Sequence, residues 1–457
     1  MKKPLTRSKP MPTIDELKAQ TRAAIDARSE WLINIAKTIL NNPEPGFMEV
    51  NTARYVSEKL HELDIAHETG IALTGMKGYI RGGQPGPTVA VIGELDSLRV
   101  PGHPHANPDT GAAHACGHNC QIGMMLGATV GLKILEGHEA LAGNVALMAL
   151  PAEEFIDVQE RWEMHQDGKL GFMAGKQEFI RLGAFDDVDI AMMMHTTSQS
   201  VEDTKFAFGG TSNGHVVKYV RFIGRSAHAG SAPYEGVNAL QAAMVALNAL
   251  NTQRETLRNE DAVRLHGIMT SGGASVNAVP ADVRYEGRVR GRSIDTIADA
   301  NQKMDRCLRA GALTMGAKVN IVTMPGYLPM INNVPMMDLM KDNAAQLVGE
   351  HNITTHVPTR NRGGSTDMGD LSHIMPVVHP YTTAATGSRH GTDYLIQDYV
   401  QAVVNPAKAM AMTVIDLLTG QSEKAKEILD TSPPQMSKQQ YLDLQHSRLV
   451  EELYEGR

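Results

Sequence analysis

Apolar positions near the amino terminus recur at helical spacing. Thr13 and Glu16 match a capping box, and apolar residues then repeat every three or four positions as far as Pro43. This pattern predicts a first helix that ends near Asn42. A second helical stretch is predicted over about 52–63.

Short apolar segments rich in β-branched residues come next. Residues 88–96, 144–150 and 188–194 have the length and composition of buried strands. The stretches between them, 122–135 and 169–182, have helical patterns. Because strands alternate with helices, we expect an α/β layer fold with a largely parallel sheet.

The pattern changes after Gly210, where the elements follow the order βαββαβ. Strands are predicted at 216–224, 262–270, 282–290 and 318–323, and helices at 237–250 and 294–313. This is the order of the ferredoxin-like split unit. We therefore predict that residues 212–325 form a separate inserted domain, and that residues 1–211 and 326–457 form a discontinuous main domain.

Beyond residue 325 the pattern of helix, strand and helix resumes. It predicts a helix over 335–348, a turn region over 363–376 and a helix over 401–418. The polar tail carries one further amphipathic pattern, which predicts a short helix near 439–453.

Composition and charge argue against some classes of partner and cellular location. The chain of 457 residues suggests two to three domains, and 43 basic against 51 acidic residues give a net charge of −8, which argues against a nucleic-acid partner. Three cysteines cannot form a disulfide framework and point to a reducing compartment. Since no apolar run of about 18 residues occurs, no membrane partner is expected. We expect a soluble, cytoplasmic protein.

The densest group of metal-capable side chains surrounds Cys116 and His118. Gly117 between them allows the tight turn that would direct a thiolate and an imidazole at one ion. Taken alone, this pair is weak evidence for a metal site. It needs partners from other parts of the chain.

Candidate partners follow the predicted strands. Glu153 and Glu154 come just after one buried strand, where α/β sheets place their ligand crevices, and His195 ends the next. Each has an alternative interpretation, the two carboxylates as an acidic helix start and the histidine as a core or loop residue. Because three such features end successive elements, a metal site is the better interpretation of the set.

Six segments, taken in order, resemble the M20 metallopeptidases. They are Cys116 to Asn119, Pro151 to Glu154, Asp187 to Asp189 with His195, Ser226 to Gly230, Gly272 to Asn277, and Gly364 to Gly369. The resemblance is greatest to the branch with aminobenzoyl-glutamate hydrolase, auxin-conjugate hydrolases and the M20-domain dipeptidases. It implies a zinc-peptidase-like catalytic domain with a mixed, largely parallel sheet. It also implies an inserted ferredoxin-like dimerisation or lid domain, in agreement with the division predicted above.

The resemblance also implies a ligand set. Two divalent ions would be held by five side chains, namely Cys116, His118, Glu154, His195 and His390. His379 competes with His390 for the last place, but it lies in an apolar segment that resembles a strand. Thiolate, imidazole and carboxylate together suit zinc, and manganese or cobalt are also compatible.

Further roles follow from the same resemblance. Glu153 would be the general base, and His228 of the inserted domain would reach the active site of a partner subunit, which implies a homodimer. Asn277 would contact the substrate. Arg290 would hold a substrate carboxylate or form a surface salt bridge, and Asp96 would orient a ligand histidine.

The implied activity is hydrolysis of an amide bond in a small N-acyl or aminoacyl compound that bears a carboxylate. A metal-activated water would attack, with Glu153 taking its proton. Two alternatives remain open: a hydrolytic deaminase of an aromatic amine on the same scaffold, and a noncatalytic binding protein that kept the fold. The presence of Glu153 together with all five ligand candidates argues against the second.

Two loops beside the expected metal centre are longer than in the family. Residues 100–110 contain His103, His105 and Asp109, which we interpret as rim residues of a polar loop rather than extra ligands. Residues 155–176 form the second long loop. Both affect substrate choice, which the sequence leaves undetermined.

Overall fold

The computed structural model describes residues 12–198 and 204–456. Its α-helices are α1 Ile14–Ala27, α2 Ser29–Leu40, α3 Val50–Glu62, α4 His118–Lys133, α5 Val158–Gln166, α6 Gly175–Leu182, α7 Ala239–Thr252, α8 Ile294–Met315, α9 Val334–Val348, α10 Met368–Ile374, α11 Asn405–Leu418, α12 Glu423–Thr431 and α13 Lys438–Ser447.

The strands are β1 His67–Ile71, β2 Gly75–Arg81, β3 Gln84–Glu94, β4 Leu98–Arg99, β5 Ala112–Ala113, β6 Ala142–Leu150, β7 Ile190–Met192, β8 His195–Ser198, β9 Phe206–Thr211, β10 Gly214–Ile223, β11 Arg264–Ser271, β12 Asp282–Gly291, β13 Lys318–Pro325, β14 Ile353–Asn361, β15 Val377–Val378, β16 Tyr381–Thr386, β17 Leu395–Ile396 and β18 Val450–Tyr454.

The largest sheet is mixed and mostly parallel, as predicted. Its order is β1-β2-β6-β3-β7-β15, with β3 parallel to both β6 and β7, and β7 parallel to β15. Side chains of β3 alternate between two apolar cores: Val89 and Val91 pack with α1, α2, α4 and α11, whereas Ala90 and Ile92 pack on the opposite face. Helices therefore cover both faces, which explains why these strands are almost continuously apolar.

The second sheet confirms the predicted βαββαβ order. Its strands are all antiparallel in the order β11-β12-β10-β13-β18, and α7 packs against α8 in its apolar core. Along β12 buried and half-buried residues alternate strictly, as expected for a strand with one face on a core. The division of the chain into domains at 212 and 325 stays a prediction.

Two sequence-based boundaries were wrong. The helical pattern up to Asn42 is divided into α1 and α2 at Arg28, whose backbone leaves the helical region. The predicted tail helix ends at Ser447, and Val450–Tyr454 instead forms β18 along β13. The open edge of β13 offers backbone hydrogen bonds that local sequence cannot reveal.

A third sheet was not predicted. β9 lies between β14 and β16, and β16 also pairs with β8 and β17. These strands are short or interrupted by polar residues, so their alternation is weak. The sheet matters for the site because β8 begins at His195 and β16 leads towards His390.

None of the described helices alone is both long and apolar enough to span a bilayer. One pair, Val400–Leu418 with Gly420–Thr431, meets the length and composition criteria together but is bent by 68°.

Candidate metal centre

The carboxyl edge of the largest sheet assembles the site. β3 ends at Glu94, Glu153 and Glu154 follow the end of β6 after two residues, and His195 follows the end of β7 after two residues. Because β3, β6 and β7 run parallel, the residues after them meet at one edge. The strand ends singled out in the sequence are therefore neighbours in space.

The Cys116–His118 turn meets this edge from the side. Gly117 has φ +92°, and a Cβ added there would lie 2.0 Å from the Thr196 hydroxyl oxygen. Only glycine satisfies both constraints, since other residues rarely adopt this backbone and would clash. His118 then starts α4, in which every residue up to Leu132 is buried.

Two groups of ligand atoms converge at this point. Cys116, His118 and His195 form the first group, and Cys116, Glu154 and His390 form the second, with the ligand atoms of each group within 4.8 Å of one another. The Cys116 sulfur lies 3.3 Å from Nε2 of His195. Nε2 of His390 lies 3.1 Å from a Glu154 oxygen. All five predicted ligands are thus brought together, with Cys116 common to both groups.

Asp96 orients two of these residues. Nδ1 of His118 donates to an Asp96 carboxylate oxygen at 3.0 Å, and the Glu154 backbone N–H donates to the other oxygen at 2.8 Å. A carboxylate that fixes the Nδ1–H form of a histidine directs the lone pair of Nε2 outward. The orienting role predicted for Asp96 agrees with this geometry.

The buried side chains of the site stabilise one another's charges. Burial opposes ionisation of the Cys116 thiol, but the imidazoles of His195, His118 and His390 outweigh it and keep its pKa well below the ordinary value. Burial likewise opposes ionisation of Glu154, and His390 and His118 nevertheless lower its pKa. In turn the Glu154 charge raises the pKa of His390 to about 11.

The donor set fits two divalent cations. A thiolate, three imidazoles and a carboxylate are the ligands that zinc prefers, and they also accept other first-row metals. Nε2 of His118 is buried and has no hydrogen-bond partner among the described residues. It lies 3.1 Å from a Glu94 oxygen and close to the Cys116 sulfur and the His195 imidazole, so a cation bound by those two ligands would also reach it.

Glu153 lies beside the ligands. Its side chain is 7% exposed, and one of its oxygens is 3.8 Å from Nε2 of His118. Burial raises its pKa well above the ordinary value, and the charges of Glu94, Glu154 and Asp367 act in the same direction. The Tyr327 hydroxyl donates to its backbone carbonyl and holds the turn in place. A raised pKa suits a carboxylate that must both take and return a proton.

A cavity of about 250 Å³ opens onto the centre. Its wall includes Cys116, Glu153, Glu154, Phe155, His195, Arg288, Arg290, Tyr327, Gly363 to Thr366, His379, Tyr381, Arg389 and His390. Arg290 donates to the Ser365 hydroxyl at 2.7 Å, and burial lowers its pKa to about 10, so that it stays charged at neutral pH. The structure therefore places Arg290 in the cavity and not in a surface salt bridge.

His228 and Asn277 are not part of this cavity in the same chain. Neither is among its wall residues, and both side chains are exposed on the second-sheet unit. They lie next to each other, since the Ala229 N–H donates to the Asn277 carbonyl at 2.9 Å. This position agrees with the expectation that they act on a partner subunit, which stays a prediction.

Residues of the long first loop behave differently from one another. His103 is buried and its Nε2 contacts the Tyr394 carbonyl at 2.8 Å, so it is a packed residue and the prediction of a rim position was wrong for it. His105 contacts the Asn41 side chain instead. Neither is in a metal-capable group of the described chain.

Sequence reasoning missed three buried charged residues behind the ligands. Lys176 bridges Glu94 and Asp367 with both N–O distances at 2.5 Å, and all three side chains are at most 1% exposed. The strand-end argument that found Glu153 also applies to Glu94, the last residue of β3. No local signal marks Lys176, because its partners are distant in sequence.

Comparison with known proteins agrees with this site. The chain is 29% identical over 340 residues to Xaa-Arg dipeptidase of Mus musculus, covering 72% of this chain and 70% of that protein. It is 25% identical over 359 residues to IAA-amino acid hydrolase ILR1-like 4 of Arabidopsis thaliana, covering 76% of each chain.

Solved structures share the fold. A dinuclear metal-binding peptidase of family M20 from Bacillus subtilis superposes with a TM-score of 0.61 at 19% identity, covering 86% of this chain and 99% of that chain. The model of Peptidase family M20/M25/M40 matches residues 90–411, well over half of the sequence. The chain therefore belongs to Peptidase family M20/M25/M40 and is a metal-binding hydrolase of carbon–nitrogen bonds.

Proposed function

We propose that the protein is a dinuclear metal-dependent amidohydrolase that cleaves a small N-acyl or aminoacyl compound bearing a carboxylate. One observation carries the proposal. Five candidate ligand side chains from separate parts of the sequence come together with Cys116 common to both groups, and the carboxylate of Glu153, which belongs to neither group, lines the same cavity. This arrangement supplies both the cation sites and the proton acceptor that amide hydrolysis requires.

Several residues of the chain would have separate roles in the reaction. Two divalent ions, when bound, would polarise the scissile carbonyl and lower the pKa of the attacking water, so that it can act as hydroxide. Glu153 takes the proton of the attacking water and delivers it to the leaving nitrogen. Asp96 keeps His118 in the Nδ1–H form, and buried Tyr327 fixes the backbone at Glu153.

The arginines support a substrate with a carboxylate. Arg288 and Arg290 both line the cavity across from the ligand groups. A guanidinium matches a carboxylate in shape and charge, and partial burial strengthens the attraction. The names of two relatives, Xaa-Arg dipeptidase and IAA-amino acid hydrolase, also describe hydrolases of amino-acid conjugates. A product amino acid would carry the required carboxylate.

The proposal also covers the identity of the metal, the cellular location and the oligomeric state. Zinc is the preferred ion, since a thiolate and imidazoles make up most of the donor set, with manganese or cobalt compatible. The three cysteines are free, as is usual in a reducing compartment, which supports a cytoplasmic location. A homodimer would bring His228 and Asn277 of one subunit to the other subunit's cavity.

A hydrolysis screen on metal-reconstituted protein tests the function. The panel contains dipeptides ending in arginine, indole-3-acetyl amino acids, N-acetyl amino acids and aromatic amines, and both free amino acid and ammonia are measured. We expect liberated amino acid from at least one amide, and no turnover after chelation. Ammonia from an aromatic amine without any amino acid would contradict the amidase assignment.

Glu153→Gln tests the assigned proton acceptor. The variant should lower kcat/KM by about 10²–10⁴-fold and keep both metal ions, because the amide fits the space but takes no proton. Glu178→Gln is the control, since Glu178 is also buried but lies outside the cavity wall, where it bonds to the backbone of Gly171 and Phe172 and to Arg181. Undiminished activity in Glu153→Gln on every hydrolysed compound would defeat the mechanism.

A further inference from the structure

Two arginines in the cavity at the metal centre carry charges that no described carboxylate neutralises. Arg288 and Arg290 both line this cavity. Their hydrogen bonds go to a backbone carbonyl, an imidazole and a hydroxyl, and neither forms an ion pair with a described residue. Arg284, another β12 residue, pairs instead with Asp282 at 3.1 Å. The charges of the two cavity arginines are therefore available to a bound molecule.

Neutral groups hold the Arg290 side chain. Its Nε donates to Nε2 of His266 at 3.1 Å, and its Nη1 donates to the Ser365 hydroxyl at 2.7 Å. Its Nη2 has no hydrogen bond to the described part of the chain. A guanidinium held at Nε and Nη1 is fixed in direction, and the hydrogens of Nη2 remain for a ligand.

Strand register brings His266 to this position. In the antiparallel pair of β11 and β12, His266 lies opposite Arg288 and diagonally from Arg290, on the same face of the sheet. His266 is not among the wall residues of the cavity at the metal centre, and it lines a neighbouring cavity of about 590 Å³. Any effect of His266 on a substrate in the first cavity is therefore transmitted through Arg290.

The imidazole of His266 is neutral at neutral pH. Burial lowers its pKa to about 4, and the charges of Arg290 and Arg288 act in the same direction. Nε2 therefore keeps the lone pair that accepts from Arg290. A carboxylate in this place would also hold the guanidinium, but it would neutralise the charge and compete with a carboxylate of the substrate.

We infer that His266 is a positioning residue that holds Arg290 together with Ser365 and leaves its charge free for the substrate. His266 thereby selects compounds with a free carboxylate over their neutral carboxamides. The inference rests on the proposed function, because it requires that the substrate carboxylate binds at Arg290.

Kinetics on a pair of compounds test the inference. The pair is an N-acyl amino acid that the metal-loaded native protein hydrolyses and the same compound with its carboxylate converted to a primary carboxamide. His266→Leu removes the acceptor, whereas His266→Gln offers an amide oxygen in its place. Thr270→Val is the control, since Thr270 lies on the same strand and lines the same neighbouring cavity without bonding to Arg290.

The measured quantity is the ratio of kcat/KM for the acid to kcat/KM for the carboxamide. We expect this ratio to be well above one in the native protein and the control. In His266→Leu it should fall about tenfold, mainly through a higher KM for the acid, because Arg290 loses a hydrogen bond that directs its charge. His266→Gln should keep most of the native ratio.

An unchanged ratio in His266→Leu would overturn the inference and leave the proposed function intact. Equal losses on both compounds would show a purely structural role and would also overturn it. A native protein that hydrolyses no amide defeats the proposed function instead, and calorimetry with N-acetylalanine and its carboxamide then decides the inference. Tighter binding of the acid that is lost in His266→Leu supports it, and equal native affinities overturn it.

Discussion

At the scale of single residues, Cys116 is the ligand on which both cation sites depend. Among the described residues it is the one that belongs to both ligand groups of the five predicted ligands. Its sulfur is polarised by three surrounding imidazoles, which favour the thiolate. One atom can bridge two cations only if it is charged and exposed to both, so its loss should affect both ions.

Cys116→Ala should therefore behave differently from substitution of a ligand that serves one ion. We expect Cys116→Ala to lose most of both ions, and His390→Ala to lose only the ion that Glu154 shares. Metal content per subunit after gel filtration measures the difference. Equal stoichiometry in the two variants would contradict a bridging role for Cys116.

Gly117 makes a second residue-scale prediction. An alanine at position 117 would have an unfavourable positive φ and would also overlap the Thr196 hydroxyl. Gly137 has a positive φ as well, +69°, but no neighbouring atom lies within 4 Å of a Cβ added there. We expect Gly137→Ala to lower the free energy of unfolding by about 1 kcal/mol and Gly117→Ala to lower it by more, about 1–3 kcal/mol. Gly117→Ala should also weaken metal binding. Urea unfolding and zinc titration test both, and matching values for the two variants would contradict the role of the close contact.

At the scale of elements, strand ends and helix starts bring the site together, and the tail holds a supporting helix. The Asp370 carboxylate of α10 accepts hydrogen bonds from Tyr441 and Gln445 of α13 at 3.0 and 2.8 Å. Burial raises the pKa of Asp370 to about 8, and the nearby charge of Asp367 adds to the effect. Burial and the Asp367 charge therefore make the folded protein favour the protonated acid, although the hydrogen bond from Tyr441 favours the carboxylate.

This shift gives a stability prediction with a definite sign. The folded protein keeps the Asp370 proton up to about pH 8, whereas the unfolded chain releases it near pH 4, so the contribution to stability is lost as pH rises through that window. As the pH rises from about 5 to about 7, we expect the free energy of unfolding of the native protein to fall by about 1 kcal/mol per pH unit, compared with that of Asp370→Asn.

Urea unfolding in the presence of a chelator measures this difference, because chelation removes metal-linked effects. Asp443→Asn, an exposed substitution on α13, is the control and should leave the slope unchanged. Parallel pH curves for native protein and Asp370→Asn would show that Asp370 does not titrate in this range.

At the scale of the whole molecule, the second-sheet unit presents an open edge. β11 is the edge strand there, and Ile268 is 64% exposed while Val276, beside Asn277, is 93% exposed. Exposed apolar side chains along an unpaired edge are typical of a surface covered by another chain. This is where the predicted homodimer would form.

Ile268→Glu tests that assembly. We expect a dimer in light scattering for the native protein and a monomer for the variant, because a buried, unpaired carboxylate would oppose association. The monomer should also lose activity, since His228 could no longer reach a neighbouring cavity. Val357→Glu, on the edge strand of the third sheet and 65% exposed, is the control and should remain dimeric. A monomeric native protein would contradict the prediction.

The sequence alone predicted the fold class and the βαββαβ unit, and its resemblance to a family supplied the five candidate ligands. Strong apolar periodicity marks β3, β6 and β12, and strand ends carry chemistry in α/β sheets, so local information sufficed for Glu153, Glu154 and His195. The family resemblance and the strand-like segment around His379 selected His390 over His379, and the structure brings His390 to Glu154.

Only the tertiary structure decided the rest. β18 is a strand because β13 leaves an edge for it, and the weakly patterned third sheet is stabilised by its neighbours rather than by its own residues. Glu94, Lys176 and Asp367 are far apart along the chain but meet in a buried ion-pair cluster. Burial and pairing are properties of the folded chain, because the energy of a charge depends on everything packed around it.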